Sequence, residues 1–445
     1  MLMMQSQSAH SLKALSLFSS AGIGDLGVIA SGLQLVMANE LLSQRVSLYR
    51  ENFEHDILEG DIWQLKQQIV TSTTDALGED ELFLLYATPP CQGMSSNGMG
   101  KLKSEISFGR RDTEDQRNRL IIPTMDIAVK LKPRWVLLEN VPGMERTAIR
   151  TTGEQTVNII DYVSERLGEE YEGKAEVVAC EDYGIPQRRK RLITIFTRDP
   201  AAKEYFRANG GSFFTAEMRE PRRTLREAIG DFPPLDAREG LNEARDFHPY
   251  HYVPRMAEMK HLWVRHTKEG ETAFNNQCLN PSCLNQDNPG HEDVKVNGRW
   301  VSSKNIPIHC VKCGSLLPRP HVLDESGPRL LKGFHSAYRR MKWDEPARTL
   351  TQNFIYEASD NKIHPSQNRV LSVYEAMVVQ TISRYRYKFS IGGADISTAK
   401  IAEVIGESVP PYLIQKICSM MLGCSSVRLT DPSPKGRPEE VLGLD

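Results

Sequence analysis

The chain has 445 residues, 40% of them hydrophobic and 25% charged, enough for two or three domains and a large buried core. Its 55 Lys plus Arg against 57 Asp plus Glu leave a net charge of −2. That excludes a histone-like polycation but not a local basic groove, because a field depends on where charges sit. No apolar run approaches the roughly 18 residues of a membrane span, and the opening MLMMQSQSAHSLK lacks the charged start and apolar stretch of a signal peptide. With only eight cysteines, four of them scattered (Cys91, Cys180, Cys418, Cys424), a soluble intracellular chain is expected rather than a disulfide scaffold.

In chain order, residues 14–18 are the first apolar run that reads as a buried strand. It ends in Phe18-Ser-Ser-Ala-Gly22-Ile-Gly24, whose glycines let the backbone turn tightly near a ligand. A second strand at 33–38 runs into Asn39 and Glu40, and a third ends at Gly60-Asp61-Ile62. An acid at a strand end is commonly a helix cap or a solvated charge. Several at successive strand ends, beside a glycine turn, favour a nucleoside-bearing cofactor.

Residues 82–86 form the next strand, followed by Thr88-Pro-Pro-Cys91-Gln-Gly93. Two prolines stiffen the turn and hold the thiol clear of the sheet. A thiolate is a strong nucleophile, the alternative being a small structural cysteine. Gly93, Gly98, Gly100 and Gly109 then punctuate a segment carrying Lys101, Lys103, Arg110 and Arg111, a basic loop suited to closing over a polyanion.

A helix at 120–131 leads to a strand at 135–138 that ends in Glu139-Asn-Val. Desolvation favours the neutral form of a buried carboxyl, which can then donate a proton near a nucleophile. Gln187-Arg-Arg189-Lys-Arg191 enters a strand at 192–196, with Arg189 and Arg191 expected on one face. Strands alternating with helices predict an α/β fold with a mostly parallel sheet, its ligands at the carboxyl ends of the strands.

From 197 to 368 the pattern breaks into interleaved Pro, His and charge, read as a second, irregular domain. Within it Cys278-x4-Cys283 and Cys310-x2-Cys313 have the pairing of a four-thiolate zinc ribbon. His291 and His309 are possible substitutes, and reduced cysteines packed in a subdomain are the alternative. Residues 329–343 mix Lys and Arg with aromatics, a composition suited to phosphate contact and base readout. Helical pattern resumes at 369–381 and 411–422, and the Pro-rich tail at 425–445 is expected to be mobile.

The segments LFSSAGIGDLG, ANE, EGDI, TPPCQG, DQRN, LLENVPGM, YGIPQRRKR, NRVLSVYEAMVVQT and GESVPP, in this order, resemble the DNA (cytosine-5) methyltransferase family of prokaryotic and phage type. The resemblance implies a Rossmann-like S-adenosylmethionine-dependent methyltransferase domain at 1–198 plus 369–424. A smaller, irregular target-recognition domain would occupy 199–368. The zinc-ribbon-like insert at 275–318 is not part of the family pattern.

The resemblance also implies attack by Cys91 on C6 of a flipped cytosine, N3 protonation by Glu139, contact of Arg191 with the base carbonyl, and Arg189 fixing the acid. It places Phe18, Gly22, Gly24, Glu40, Asp61, Ile62, Pro90, Leu120 and Ser408 around S-adenosylmethionine. Ser20 and Ile23 stand where the family has glycines, and Glu407 where it has asparagine.

The expected partner is duplex DNA, bound by a monomer in the cytoplasm of a prokaryote, at the nucleoid. Companion restriction or other phage-defence proteins are expected, and no membrane. Transfer-RNA methylation and a non-catalytic DNA-binding module are the alternatives. The net charge of −2 then hides a basic cleft made by residues 101–119, 188–191 and 329–342.

Overall fold

The computed structural model describes residues 12–90, 116–291, 293–296, 299–302, 306–331, 336–359 and 362–426. At its centre is a seven-stranded sheet made of β1 (Lys13–Leu17), β2 (Gln34–Glu40), β3 (Ile57–Glu59), β4 (Leu82–Ala87), β5 (Trp135–Asn140), β6 (Glu172–Ala179) and β7 (Lys190–Thr197). The strand order is β3-β2-β1-β4-β5-β7-β6. The first five strands pair in parallel, whereas β7 runs antiparallel to both β5 and β6. The sheet is therefore mixed. The expected strands at 14–18, 33–38, 82–86, 135–138 and 192–196 are all present, each shifted or extended by one or a few residues.

Helices cover both faces: α1 (Ile23–Ala30), α2 (Ser43–Arg50), α3 (Ile62–Leu77), α4 (Ile121–Leu131), α5 (Ile159–Leu167), α6 (Pro200–Ala208), α7 (Glu258–Arg265), α8 (Val373–Val379), α9 (Thr398–Glu407) and α10 (Pro411–Cys424). Side chains of a strand alternate between faces. Leu85, Val136 and Leu138 accordingly meet Ile69, Met125 and Val163 of α3, α4 and α5 on one side. Leu84, Trp135 and Leu137 meet Val28, Ala202 and Ile414 of α1, α6 and α10 on the other. Strands buried on both faces read as continuous apolar runs, as β4 and β5 do.

The polar edge strand β6 has no such run, since Val178 is its one buried residue. Helix α8 is shorter than its apolar pattern suggests. Ser372 and Glu375 form a capping box at its start, and the preceding Arg369 is drawn into a fully buried ion pair with Glu375, 2.6 Å.

Between α6 and α8 the described chain is largely irregular, with short helices and two hairpins, Asp293–Val296 with Arg299–Ser302 and His321–Asp324 with Gly327–Leu330. The stretch from 200 to 250 nevertheless packs with the sheet's layers. Phe213 meets Trp135 edge-on at 5.2 Å, and Leu225, Ile229 and Tyr250 join a cluster with α2, α8 and α9. The return from the irregular region is pinned where Ala347–Arg348 pairs in parallel with Gln187–Arg188. Among the described residues no helix is long and apolar enough to cross a membrane. The tail beyond residue 426 lies outside them.

Helix α1 packs tightly on α10: a Cβ on Gly27 would lie 2.2 Å from the carbonyl oxygen of Pro411. Gly27→Ala should therefore force the two helices apart and lower stability by about 1–3 kcal/mol in urea unfolding. Gly423→Ala, with nothing within 4 Å of its Cβ, should instead be neutral or stabilising by up to about 1 kcal/mol.

Candidate active site

The carboxyl ends of β1 to β5 hold most of the residues singled out in the sequence. After β1 the chain takes left-handed backbone angles at Phe18 (φ 57°), Ser20 (φ 50°) and Gly22 (φ 81°). At Gly22 a side chain is excluded as well, because its Cβ would sit 2.1 Å from the Phe53 ring. Ser20 holds the same region without being glycine, at a cost of about 1–2 kcal/mol. Its N–H donates to Glu40 Oε2 at 2.9 Å, and its Oγ accepts from Arg45.

Glu40 Oε1 accepts from the Leu42 N–H, 2.9 Å, so both carboxylate oxygens are oriented by backbone donors. Asp61 caps α3 through the Trp63 N–H, 2.9 Å. The cap role therefore holds for Asp61 while its carboxylate stays at a strand end. Ile62 is buried behind it. Gly24 lies against the Tyr86 hydroxyl, and Phe18 and Leu120 border the same apolar cluster.

Two cross-ties fix the turn after β4. Thr88 Oγ1 donates to the Phe18 carbonyl, 2.9 Å, and Asn140 Nδ2 donates to the Pro89 carbonyl, 3.1 Å. Asn140 was visible in the sequence only as the middle of Glu-Asn-Val; its amide is what holds the proline turn. Pro90 is half-buried there. Cys91 and the loop with Lys101, Lys103, Arg110 and Arg111 lie outside the described residues.

Glu139 is 8% exposed at the end of β5, and its Oε1 lies 2.5 Å from Arg191 Nε. Arg189, expected to fix this acid, is buried. Its Nη1 donates to the Leu350 carbonyl (2.7 Å) and its Nη2 to those of Gly406 (3.1 Å) and Ser408 (2.7 Å). Residue 189 falls between the short strand Gln187–Arg188 and β7, and its carbonyl accepts from the Cys180 N–H, 2.8 Å.

Gln187 and Gln380 complete this buried knot. Gln187 Oε1 accepts from the Leu350 N–H, 3.0 Å, and its amide donates to Gln380 Oε1, 2.6 Å. Gln380 in turn donates to the carbonyl and hydroxyl of Ser408. Ser408, expected at the cofactor, is thus engaged in the scaffold.

Asp25 escaped the sequence reading, although an acid in the first turn of an apolar helix was a signal. It is buried and accepts from Ser16 Oγ (2.7 Å) and Tyr49 OH (2.8 Å). Burial outweighs those hydrogen bonds and raises its carboxyl to about 7.

In the irregular region the four cysteines converge, all sulfur atoms lying within 4.8 Å of one another. Cys278 and Cys313 are 3.6 Å apart, and Cys283 and Cys310 3.8 Å. The basic stretch 329–342 is only partly available to a polyanion. Arg340 is buried, donating to the carbonyls of Thr267, Val264 and His364 and to Asn368 Oδ1. Arg329 pairs with Asp324 and Lys342 with Glu345.

The family model for C-5 cytosine-specific DNA methylase matches residues 12–422. The chain belongs to that family. It is 29% identical to the Type II methyltransferase M1.HgaI of Avibacterium volantium, over 91% of this chain and 97% of that protein. It is 23% identical to the Type II methyltransferase M.AgeI of Thalassovita gelatinovora, over 90% and 97%. An E. coli prophage-encoded chain described as a DNA modification methyltransferase shares the fold with a TM-score of 0.55 at 17% identity, over 93% of this chain and 99% of that one. The protein is a DNA cytosine-5 methyltransferase, and the strand-end cluster around Glu139 is its candidate active site.

A carboxyl raised in the folded state stabilises the fold most where it is protonated in both states. The Asp25 contribution should thus be complete below its ordinary value of 3.8 and be lost as pH rises through about 7. Between about pH 5 and pH 8 the melting temperature of this cytosine-5 methyltransferase should fall relative to that of Asp25→Asn, which cannot ionise.

Proposed function

We propose that this enzyme methylates C5 of a cytosine flipped out of duplex DNA, within a specific sequence, as the modification partner of a Type II restriction system. Two observations support that reading: the Glu139–Arg191 pair, and the Asn140 tie on the turn leading to Cys91.

In this reading the Cys91 thiolate adds to C6 of the ring. Glu139 delivers a proton to N3 as negative charge develops there, which leaves C5 nucleophilic. Arg191 holds the Glu139 carboxyl through Nε and, with Nη1 donating to the Lys190 carbonyl at 2.9 Å, contacts the base carbonyl through Nη2. S-adenosylmethionine supplies an electrophilic methyl group on its sulfonium. Loss of the C5 proton to a base, expulsion of the Cys91 thiolate and return of the N3 proton to Glu139 restore the aromatic ring.

The strand-end turn suits the methyl donor. Phe18 offers an apolar face, Glu40 a carboxylate preset for ribose hydroxyls, and Asp61 with Ile62 a polar and an apolar contact for the adenine. Flipping costs a few kcal/mol, offset by phosphate contacts from residues 101–119 and from the second domain. Since 200–250 packs with the sheet's layers, recognition falls to the part of 199–368 beyond Tyr250.

We assign Cys278, Cys283, Cys310 and Cys313 to a structural zinc ion. A tetrahedron with metal–sulfur bonds of about 2.3 Å has edges of about 3.8 Å, close to the two sulfur separations. The amides of Asn280 and Asn285 are directed at the sulfurs of Cys313 and Cys310, 3.8 and 3.9 Å, as outer partners of a metal-bound thiolate would be. Arg319 is buried beside the same segments, donating to the carbonyls of Asn276, Pro289 and Pro307. Among the described residues it has no carboxylate partner, and burial pulls its guanidinium down to about 10. A tetrathiolate zinc centre, of charge about −2, would supply the missing anion.

Duplex DNA incubated with labelled S-adenosylmethionine should gain C5-methylcytosine. Cys91→Ser should abolish the product and Glu139→Gln should slow it by about 100-fold or more. Label entering transfer RNA and not duplex DNA would overturn the substrate. Metal analysis of the purified chain should find zinc near one per molecule, lost in Cys310→Ser together with thermal stability and retained in Glu139→Gln.

A further inference from the structure

Arg45 is 8% exposed on α2 and reaches two parts of the molecule remote in sequence. One nitrogen donates to Ser20 Oγ in the strand-end turn. The other lies 2.7 Å from both Glu403 Oε1 and Glu407 Oε2 on α9. The two glutamates are four residues apart, on one face of the helix, where like charges repel each other. A shared cation removes that conflict.

Ser20 and Glu407 are two of the three positions, with Ile23, at which the sequence departs from the family's pattern, and one guanidinium joins them. Ser20 takes a left-handed angle that glycine would adopt freely. Its hydroxyl is anchored by Arg45 while its N–H fixes one oxygen of Glu40. The polar chain thus runs from α9 through Arg45 and Ser20 to the carboxylate read as the ribose partner.

We propose that Arg45 is a positioning residue for the methyl donor, clamping a serine into a glycine-like turn so that Glu40 is preset. The proposal rests on the reading that this turn and Glu40 hold S-adenosylmethionine. A plain strut between α2 and α9 would hold the fold but would have no particular link to the residue at position 20. The distinguishing experiment is therefore a rescue.

Calorimetric titration with S-adenosylhomocysteine should show binding by the parent enzyme. Arg45→Ala should weaken it by about tenfold or more, the worth of a charge-assisted hydrogen bond. Adding Ser20→Gly to that variant should recover about fivefold or more, by relieving the left-handed strain. In steady state the KM for the methyl donor should rise while the KM for DNA stays within about twofold, since uniform binding to one substrate is what is lost. If Arg45→Ala does not fold, the double variant Glu403→Gln with Glu407→Gln, which leaves the guanidinium without its anions, decides in its place and should show the same rescue.

Binding by the variant within twofold of the parent, or no recovery on adding Ser20→Gly, overturns the positioning role. Absence of binding by the parent enzyme overturns the donor-site reading instead.

Discussion

A single guanidinium, that of Arg189, joins parts of the chain separated by 161, 217 and 219 residues. Three carbonyl groups from Leu350, Gly406 and Ser408 converge on it, and Gln187 and Gln380 close the ring. Hydrogen bonds from a charged donor contribute about 1.5–3 kcal/mol each, and a buried charge stripped of them is far more costly. The knot fixes the start of β7 against the return from the irregular region and against the end of α9. Arg191, two residues further on, inherits its position from that arrangement, and so does the acid it faces on β5.

The same device recurs where regular structure is scarce. Buried carbonyl groups need donors, and a region with two short hairpins cannot supply them from a backbone ladder. Arg319 and Arg340 supply them instead, capping three or more oxygens each. Arg369 does so with an acid, Glu375. The apolar clusters there are small, so cations and sulfur atoms carry much of the cross-linking that a hydrophobic core performs in the sheet domain.

That difference explains what could be read in advance. Strands β4 and β5 are apolar on both faces and stand out in any window. Strand β6 does not, since its pairing is backbone work along a polar edge. The residues at the strand ends were found because the α/β topology says where to look, and their motifs did the rest. That Arg189 gathers the carbonyl groups of Leu350, Gly406 and Ser408 was illegible, because those partners lie 161 to 219 residues away. The basic composition of 329–342 likewise hides that Arg340 is buried: composition cannot distinguish a guanidinium in solvent from one wrapped in carbonyls.

The contact between Gly27 and Pro411 sets a schedule for synthesis. Helix α1 leaves the ribosome early, but the helix that covers it is made roughly 380 residues later, about 20–80 s at bacterial-to-eukaryotic elongation rates. Through that interval Val28, Leu84 and Leu137 have no α10 to cover them, so one face of the sheet waits open while the irregular region is translated. That face of the sheet is covered only when α10 arrives. A ribosome that stops short of it releases an exposed sheet face and not a weakened enzyme.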